Sequence, residues 1–558
     1  MSIKRFRGVS LALLTFISAM VLMACGSSDE TAGGDSATAT LPVGSNASSA
    51  PVDTSGTGGT LRIGLTAGNL PFPNTPPNEG FEGRRFVGYQ IYDALYRWTT
   101  YQGDTVPEPE LALAESVTRS EDNLTWTFKL REDVLFHDGT TFDADDTVFQ
   151  FRRLMDKEFE YYDANVAATN GSSLASVATW EKIDQYTIAI TTKAPNAFLP
   201  YDLAYIYFPS PEVVMAVGND DYIKSATGTG PFKMTKYVDG QVMELEAFEQ
   251  YWDGRPSLDK IVLLPMPEAA TRLAALQAGD IDWAELPPPD SIAQLEAGGF
   301  QIFLKNYPHV ITYQLNTYEG SALHDVRVRQ ALNYAVDREG TSTLINNVGF
   351  PATQYVYPGH PWFDEAWEGY TYDPEKAKAL LAEAGYADGL TLKMIYPTGG
   401  SGNMFPGPMN EKLKQDLAAV GVDVELIPIE WNNILTALRA GFANPDWSQY
   451  DMSYISLAPV APTGFRSYVG AYIPPDGCCN QSGYASEVAD ALYFQAQETF
   501  DKAEQDRLLK EFQSTMMKDA PVLITVHDLN LRVMSPKVKG FVQPQSWFID
   551  IRKVWMDD

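Results

Sequence analysis

The sequence predicts an α/β fold divided into more than one domain, and three observations support this prediction. Short segments with the two-residue alternation of a β-strand repeatedly give way to segments that carry helix-capping residues. Apolar residues make up 45% of the chain, which is typical of a globular protein. Residues 60–558 number 499, more than the ~250–300 at which a single core stops growing. We therefore expect two or three domains of alternating strands and helices.

The residues before position 60 differ from the rest of the chain. Residues 1–24 combine a basic start with an apolar run of 17 residues, short of the ~20 that span a bilayer, and this layout predicts a secretory signal peptide. The run ends in LMAC at Cys25, which resembles the lipobox of bacterial lipoproteins, where the cysteine is diacylated. The alternative is an ordinary signal peptide with a chance cysteine. Residues 25–59 are mostly Gly, Ser, Thr, Ala and Asp, which predicts a flexible linker to an extracytoplasmic, lipid-anchored body.

Charge and cysteine usage exclude several classes of function. A formal net charge of −31 repels phosphate backbones, so we expect no nucleic-acid partner. The five histidines lack the spacing of metal ligands, and C-x-x-C and H-E-x-x-H motifs are missing from the sequence, so no metal site or cofactor is expected. Besides Cys25 the chain has only the adjacent Cys478 and Cys479. These two form either a vicinal disulfide, which an oxidising compartment permits, or a pair of free thiols.

The first elements of the body are readable in chain order. TLRIGL (60–65) alternates and predicts an opening strand, and an apolar helix is predicted around 88–98. Residues 123–131 predict a strand whose even-numbered apolar side chains share one face. HDG at 137–139 predicts a turn. Asp143 then occupies an N-cap position before a helix with acidic residues in its first turn.

Later elements continue the same alternation. A helix is predicted to begin at Pro374, after an aspartate N-cap, and to end at Gly385. The elements predicted after it are a strand over 389–397, a helix over 410–421, a strand over 422–429 and a helix over 431–441.

Few residues are arranged for catalysis. His137 and Asp138 lie in the predicted turn, where turn formation explains them, and Asp280 and Asp282 follow a helix end and are expected to face water. Residues 228–231 have too few glycines for a dinucleotide loop, and neither G-x-S-x-G nor a P-loop occurs. The 29 Tyr, 27 Phe and 11 Trp instead suit a cleft that stacks on ligand faces. A lipid-anchored hydrolase using a pair such as His137 and Asp138 remains the alternative from another class.

Six long stretches, in order along the chain, carry a resemblance to a known family. They are YDALYRW (92–98), LTWTFKLREDVLFHDGTTFDADDTVFQFRRL (124–154), GTGPFKMTKYVDG (228–240), RLAALQAGDIDWAEL (272–286), DVRVRQALNYAVDRE (325–339) and DPEKAKALLAEAGYADGLTLKM (373–394). Together they resemble the family 5 extracytoplasmic solute-binding proteins, the receptors for oligopeptides, dipeptides, nickel and opines of ABC importers. The resemblance extends from about residue 60 to residue 558.

The resemblance implies a two-lobed periplasmic-binding-protein fold of the type II kind, with an extra subdomain inserted in the first lobe. The implied parts are a first lobe of 60–97, 206–308 and 525–558, an inserted subdomain of 98–205 and a second lobe of 309–524. The strands at 309–316 and 521–528 would cross between the lobes.

The implied function is capture of a solute rather than catalysis. A peptide-like or other small organic solute would bind between the lobes and pass to the permease subunits of an ABC importer. A sugar, opine or sugar-phosphate is the alternative ligand. A sensor that contacts a signalling partner is a further alternative.

One stretch departs from the family pattern for peptide binding. Where peptide-binding members carry an acid that pairs with the peptide's ammonium, residues 452–475 have no acid and a single cation, Arg466. A buried ammonium without a partner is unfavourable, so a neutral or anionic ligand group is expected there. Arg466 would hold a carboxylate or phosphate; the alternative is that it faces solvent or an acid elsewhere. The further pocket residues implied by position are Asn69, Arg84, Arg85, Tyr313, Asn316 and Trp431.

Overall fold

The structure is a computed structural model that describes residues 56–103 and 105–557. Cys25, the predicted signal peptide and nearly all of the predicted linker lie outside these residues, so their predictions stay untested. Within the described ranges, no helix combines the length and apolar character needed to cross a membrane. The described residues fall into one compact unit.

The strands alternate with helices along the described chain, as the sequence predicts. The strands are β1 (Thr60–Leu65), β2 (Tyr96–Trp98), β3 (Pro109–Leu111), β4 (Ala114–Arg119), β5 (Thr125–Leu130), β6 (Val177–Asp184), β7 (Thr187–Thr192), β8 (Phe232–Val238), β9 (Val242–Ala247), β10 (Lys260–Pro265), β11 (Trp283–Glu285), β12 (Gln301–Phe303), β13 (Val310–Leu315), β14 (Gly349–Pro351), β15 (Leu390–Pro397), β16 (Val422–Ile429), β17 (Met452–Leu457), β18 (Val522–Asp528), β19 (Arg532–Met534), β20 (Val538–Lys539) and β21 (Trp555–Met556).

The helices range from single turns to five turns. They are α1 (Gly80–Gly83), α2 (Tyr89–Ile91), α3 (Ala144–Met155), α4 (Ala164–Leu174), α5 (Leu199–Leu203), α6 (Pro211–Asp221), α7 (Ala269–Ala278), α8 (Ile292–Ala297), α9 (Val326–Ala335), α10 (Arg338–Leu344), α11 (Pro374–Glu383), α12 (Pro406–Ala418), α13 (Trp431–Ala440), α14 (Glu487–Glu498) and α15 (Lys502–Asp519). A π-helical turn over Arg84–Gly88 joins α1 to α2.

Two mixed sheets form the centres of two lobes, which confirms the predicted α/β class. The first lobe contains a seven-stranded sheet in the order β12-β19-β11-β1-β10-β9-β8. The second lobe contains a six-stranded sheet in the order β14-β18-β13-β17-β15-β16, against which α9, α10 and α12 pack. A separate antiparallel sheet, in the order β4-β5-β7-β6, lies within the segment 98–205 that the sequence assigns to an insertion.

The chain crosses between the two sheets at 304–309 and again at 529–531, because β12 and β19 belong to the first sheet whereas β13 and β18 belong to the second. The prediction that the strands at 309–316 and 521–528 themselves cross is therefore wrong. Residues 525–528, assigned to the first lobe, are likewise part of the second-lobe sheet. The reason is that β13 and β18 are paired with each other as an antiparallel ladder, so the two bends fall at one end of this ladder, before β13 and after β18.

Most predicted elements are found, and strand β5 shows why. Its even-numbered side chains Trp126, Phe128 and Leu130 are buried while the residues between them are only half-buried, as two-residue alternation requires. Helix α3 begins after Asp143, whose side chain accepts a hydrogen bond from the backbone N–H of Asp145.

The helix predicted around 88–98 is wrong in most of its length. The helical turns end at Ile91, Tyr92 has an extended backbone, and Tyr96–Trp98 forms strand β2. The backbone N–H of Gly230 donates to the carbonyl of Ile91 over 3.0 Å, so a distant loop takes an acceptor that a continuing helix would need. A side chain at Gly230 would collide with this backbone, which explains the glycine.

Candidate functional site

A cavity of about 270 Å³ lies between the two lobes and is the candidate site. Its walls come from both lobes and from helix α4, which lies between strands β5 and β6 of the four-stranded antiparallel sheet. The lining includes Phe81, Arg84 and Trp547 from the first lobe, Thr169 and Ser172 from α4, and Trp431, Leu435, Leu438 and Arg439 from the second lobe, together with Tyr205. Walls that are mostly apolar and carry a few polar groups are typical of small-molecule sites.

The first-lobe wall is built by the short helical segment around α1 and the π-helical turn. This segment places the guanidinium of Arg84 over the ring of Tyr205, 4.5 Å from the ring centroid. The Nη1 atom of Arg84 is buried and has no hydrogen-bond partner among the described residues. A buried donor without an acceptor is unfavourable, so this group is available to a bound molecule.

Helix α13 builds the facing wall. Trp431, Leu435, Leu438 and Arg439 all line the cavity, and their spacing of four, three and one residues places them on one helix face. A side chain at Gly400 would come within 2.5 Å of the Trp431 ring, so glycine there leaves room for the indole. Arg439 is exposed as a whole residue, but partial desolvation by the surrounding protein, and then the positive charge of Arg84, lower the pKa of Arg439 from its usual value.

The charges that line the cavity have one sign. Its described lining residues include Arg84, Arg439 and Arg466 but no aspartate or glutamate. Arg84 and Arg439 come from opposite lobes, and no ion pair involves either of them among the described residues. The site therefore presents uncompensated positive charge within a protein whose overall charge is strongly negative.

Arg466 differs from Arg84 and Arg439 because it is already paired with an acid of the protein. Its Nη1 and Nη2 atoms donate to the two carboxylate oxygens of Asp202 over 2.7 and 2.8 Å, and both side chains are buried. The expectation that Arg466 holds a ligand's carboxylate or phosphate is corrected by this bidentate pair, and the alternative of an acid elsewhere is the one observed. Asp202 comes from helix α5, 264 residues away in sequence.

The remaining predicted residues divide into two groups. Trp431 lines the cavity together with Arg84 and Arg466. Asn69 is exposed and Arg85, Tyr313 and Asn316 are buried in the protein interior, so these four do not belong to the cavity lining. Each buried polar residue has a structural environment of its own: Arg85 pairs with Glu285, Tyr313 packs edge-on against Tyr454, and Asn316 donates to the carbonyl of Tyr450.

Two hydrogen bonds join the lobes beside the cavity, a partly buried one at its rim and a buried one in the interior. The Nδ2 atom of Asn432 donates to Glu79 Oε1 over 2.9 Å, and the backbone N–H of Glu82 donates to Ser401 Oγ over 3.0 Å. Burial raises the pKa of Glu79 to about 7 although the Asn432 hydrogen bond opposes this shift. These contacts hold the described conformation closed around the cavity.

Cys478 and Cys479 form a vicinal disulfide in the structure and contribute to the cavity wall. This is the first of the two alternatives that the sequence leaves open.

His137 and Asp138 are both held by hydrogen bonds to other segments of the protein. His137 Nε2 lies 2.9 Å from the carbonyl of Gly230, and the backbone N–H of Gly228 donates to His137 Nδ1 over 3.4 Å. Asp138 accepts a hydrogen bond from Ser210 Oγ over 2.6 Å. Burial lowers the pKa of His137 to about 4. Within the described residues, no group of three or more His, Cys, Asp or Glu is placed to hold a metal ion.

Sequence reasoning missed several residues of the site, chiefly Arg439, Tyr205, Trp547 and the hydroxyls of α4. Arg439 had a usable signal, since it follows Trp431 by eight residues on the predicted helix 431–441 and therefore shares its face. Trp547 had none, because it reaches the cavity from the C-terminal part of the chain through tertiary packing.

Comparison with known proteins gives consistent similarities. Residues 108–472 match the sequence model of the bacterial extracellular solute-binding proteins, family 5. Heme-binding protein A of Haemophilus influenzae is 31% identical over 478 residues, covering 81% of this chain and 84% of that protein. The dipeptide-binding protein of Escherichia coli is 28% identical, covering 87% and 94%. The structure of the periplasmic binding protein DppA of Helicobacter pylori with the peptide STSA superposes with a TM-score of 0.78 at 25% identity, covering 90% and 99%.

Proposed function

The chain belongs to the bacterial extracellular solute-binding proteins of family 5, and from this premise we propose that it captures one small organic solute between its lobes and delivers it to the permease subunits of an ABC importer. The observation that carries the proposal is the cavity of about 270 Å³ between the lobes, with hydrogen bonds beside it from one lobe to the other.

Binding and closure are coupled in this arrangement. A solute that contacts Arg84 on one wall and Trp431 on the other gains both sets of contacts only when the lobes are together. Its free energy of binding therefore favours the closed form over the open form. The closed form presents a defined pair of lobe surfaces to a permease, whereas an open form does not.

Peptide-like solutes are the first candidates, because similar proteins are named for the dipeptides and heme that they bind. The acid-free stretch 452–475 argues against an ordinary peptide amino terminus. A sugar, opine or sugar-phosphate is the second candidate group.

We place the protein on the outer side of the membrane, held by a lipid on Cys25. Family 5 members are extracytoplasmic, and the LMAC junction followed by a polar linker supports the anchor. The hydrolase alternative lacks comparable support, because both ring nitrogens of His137 face backbone groups of the Gly228–Gly230 loop.

Mass spectrometry of small molecules released from the purified protein by denaturation tests the proposal. We expect one predominant solute, which rebinds to the stripped protein with a stoichiometry near one and is recovered unchanged. Chemical turnover of that solute would favour the hydrolase instead, as would loss of that turnover in a His137→Ala variant.

A further inference from the structure

The uncompensated charge of the cavity indicates what kind of solute it takes. Arg84 and Arg439 lie on opposite walls, and the described lining residues offer them no carboxylate. Arg466, the third arginine, is neutralised by Asp202. Two positive charges therefore face one space. The buried Nη1 atom of Arg84 would stay without a partner beside a neutral or cationic molecule, whereas Arg439 is exposed and its charge is also solvated.

The placement of these two arginines also bears on closure. Arg84 belongs to the first lobe and Arg439 to the second, so closing the lobes brings two like charges together. The positive charge of Arg84 contributes, after burial, to lowering the pKa of Arg439, which reports this repulsion. An anion between them would convert the repulsion into two attractions.

The rest of the lining suits an apolar body. Trp431, Leu435 and Leu438 line one side of the cavity, and Phe81 and Trp547 line the other. Aromatic and aliphatic side chains of this kind bury flat or branched hydrocarbon groups.

We propose that the cavity selects a small organic anion, whose carboxylate or phosphate lies between Arg84 and Arg439 and whose apolar body packs against Trp431. The inference rests on the proposed capture function and adds the charge class of the solute. It excludes molecules whose only charge is an ammonium group, because no carboxylate of the described lining would pair with it. The anion acts as the closing signal, since it offsets the repulsion between lobes.

A panel of matched compounds tests the charge preference. We would measure thermal stabilisation and calorimetric affinity of the solute-stripped full-length protein for benzoate, phenylacetate, N-acetylphenylalanine and phenyl phosphate. The neutral partners are the corresponding carboxamides and phenol, and phenylalanine amide supplies an ammonium without an anion. We expect stabilisation by acids and phosphate only.

Substitutions of Arg84 and Arg439 test whether these two residues cause the preference for anions. Arg84→Gln and Arg439→Gln should each weaken binding of the best acid by roughly 10- to 100-fold, the range expected for the loss of one charge-assisted hydrogen bond. Arg439→Lys keeps the charge and should recover part of the affinity. Arg255→Gln is the matched control, because Arg255 is exposed, ion-paired with Glu249 and remote from the cavity lining, and it should bind as wild type.

The outcomes separate this inference from the capture function. Binding of an amide or of phenylalanine amide as tight as that of the matching acid would overturn the anion preference while leaving capture intact. Equal affinity of wild type and the double variant Arg84→Gln/Arg439→Gln would also overturn it, as would a panel in which no acid stabilises the protein. Failure of capture itself would show as a purified protein that neither releases nor rebinds any solute.

Discussion

The ion pair between Arg466 and Asp202 shows what a single residue can and cannot reveal from sequence. The missing acid in the stretch 452–475 was visible, and so was the lone cation. The acid that neutralises this cation lies 264 residues earlier on helix α5, and only the packing of that helix against the second lobe brings the two together. A charge that looks available in sequence is in this case part of the protein interior.

Asp202→Asn should destabilise the protein by about 3–5 kcal/mol, since it leaves the Arg466 guanidinium buried without a counter-charge. The free energy of unfolding from urea titration measures the loss. Asp145→Asn, which removes an exposed pair with Lys182, serves as the control and should have little effect. The double variant Asp202→Leu/Arg466→Met should recover much of the stability. An unchanged urea midpoint for Asp202→Asn would contradict the buried pair.

Glu79 should make stability depend on pH. Its pKa is raised by burial from 4.5 to about 7, so the native state favours the protonated carboxyl. The stability that the protonated Glu79 contributes is fully present below pH ~4.5, where the group is protonated in the unfolded chain as well. It is lost as pH rises through ~7. The stability of wild type relative to Glu79→Gln should therefore fall across this interval. Glu115→Gln, at an exposed site, is the control, and parallel pH profiles for Glu79→Gln and wild type would refute the assignment.

At the scale of elements, local signals predict structure where local hydrogen bonds decide it. Strand β5 follows its alternating pattern, and helix α11 begins after the predicted N-cap Asp373. Its C-cap is Ala384, one residue before the predicted Gly385, which follows with a positive φ of 93°. The prediction fails at 88–98, where the Gly228–Gly230 loop takes up backbone groups of the last helical turn. No pattern within 88–98 encodes that loop, which begins 130 residues after Trp98.

Helix α3 offers a direct test of a capping signal. The Asp143 side chain accepts from the N–H of Asp145, and the Asp143 N–H donates to Asp146 Oδ2, so two otherwise free donors are satisfied. Asp143→Ala should lower the free energy of unfolding by about 0.5–2 kcal/mol. Asp145→Ala, at an exposed position two residues later in the first turn, should lower the free energy of unfolding less. Equal effects of the two substitutions would mean that general negative charge, and not the cap, stabilises the helix.

At the scale of the whole molecule, the two-lobed architecture was predictable but most of the site was not. Six ordered motifs were enough to indicate a fold of two lobes. Of the seven proposed pocket residues, Arg84, Trp431 and Arg466 line the cavity. The other four lie elsewhere because position near a loop or strand does not specify which way a side chain faces, and strands β13 and β18 are buried on both faces.

The crossings at 304–309 and 529–531 should act as the hinge. We expect the radius of gyration from small-angle X-ray scattering to be larger for solute-stripped protein than for protein resaturated with its released solute, because the rim contacts between lobes would open. The same solute added to Arg84→Gln/Arg439→Gln at equal concentration is the control and should compact it less. A scattering profile that does not change at verified saturation would indicate a body that is closed with or without solute.

The position of the first described residues has a mechanical consequence. Residues 56–59 lie against strand β21, where the N–H of Met556 donates to the carbonyl of Gly58, and β1 follows at the centre of the first-lobe sheet. Any force that arrives through the preceding chain is therefore borne by the first lobe alone. The second lobe has two connections to it, and they leave neighbouring strands. The second lobe can therefore move about these two connections while the N-terminal end of the described chain stays fixed in the first lobe.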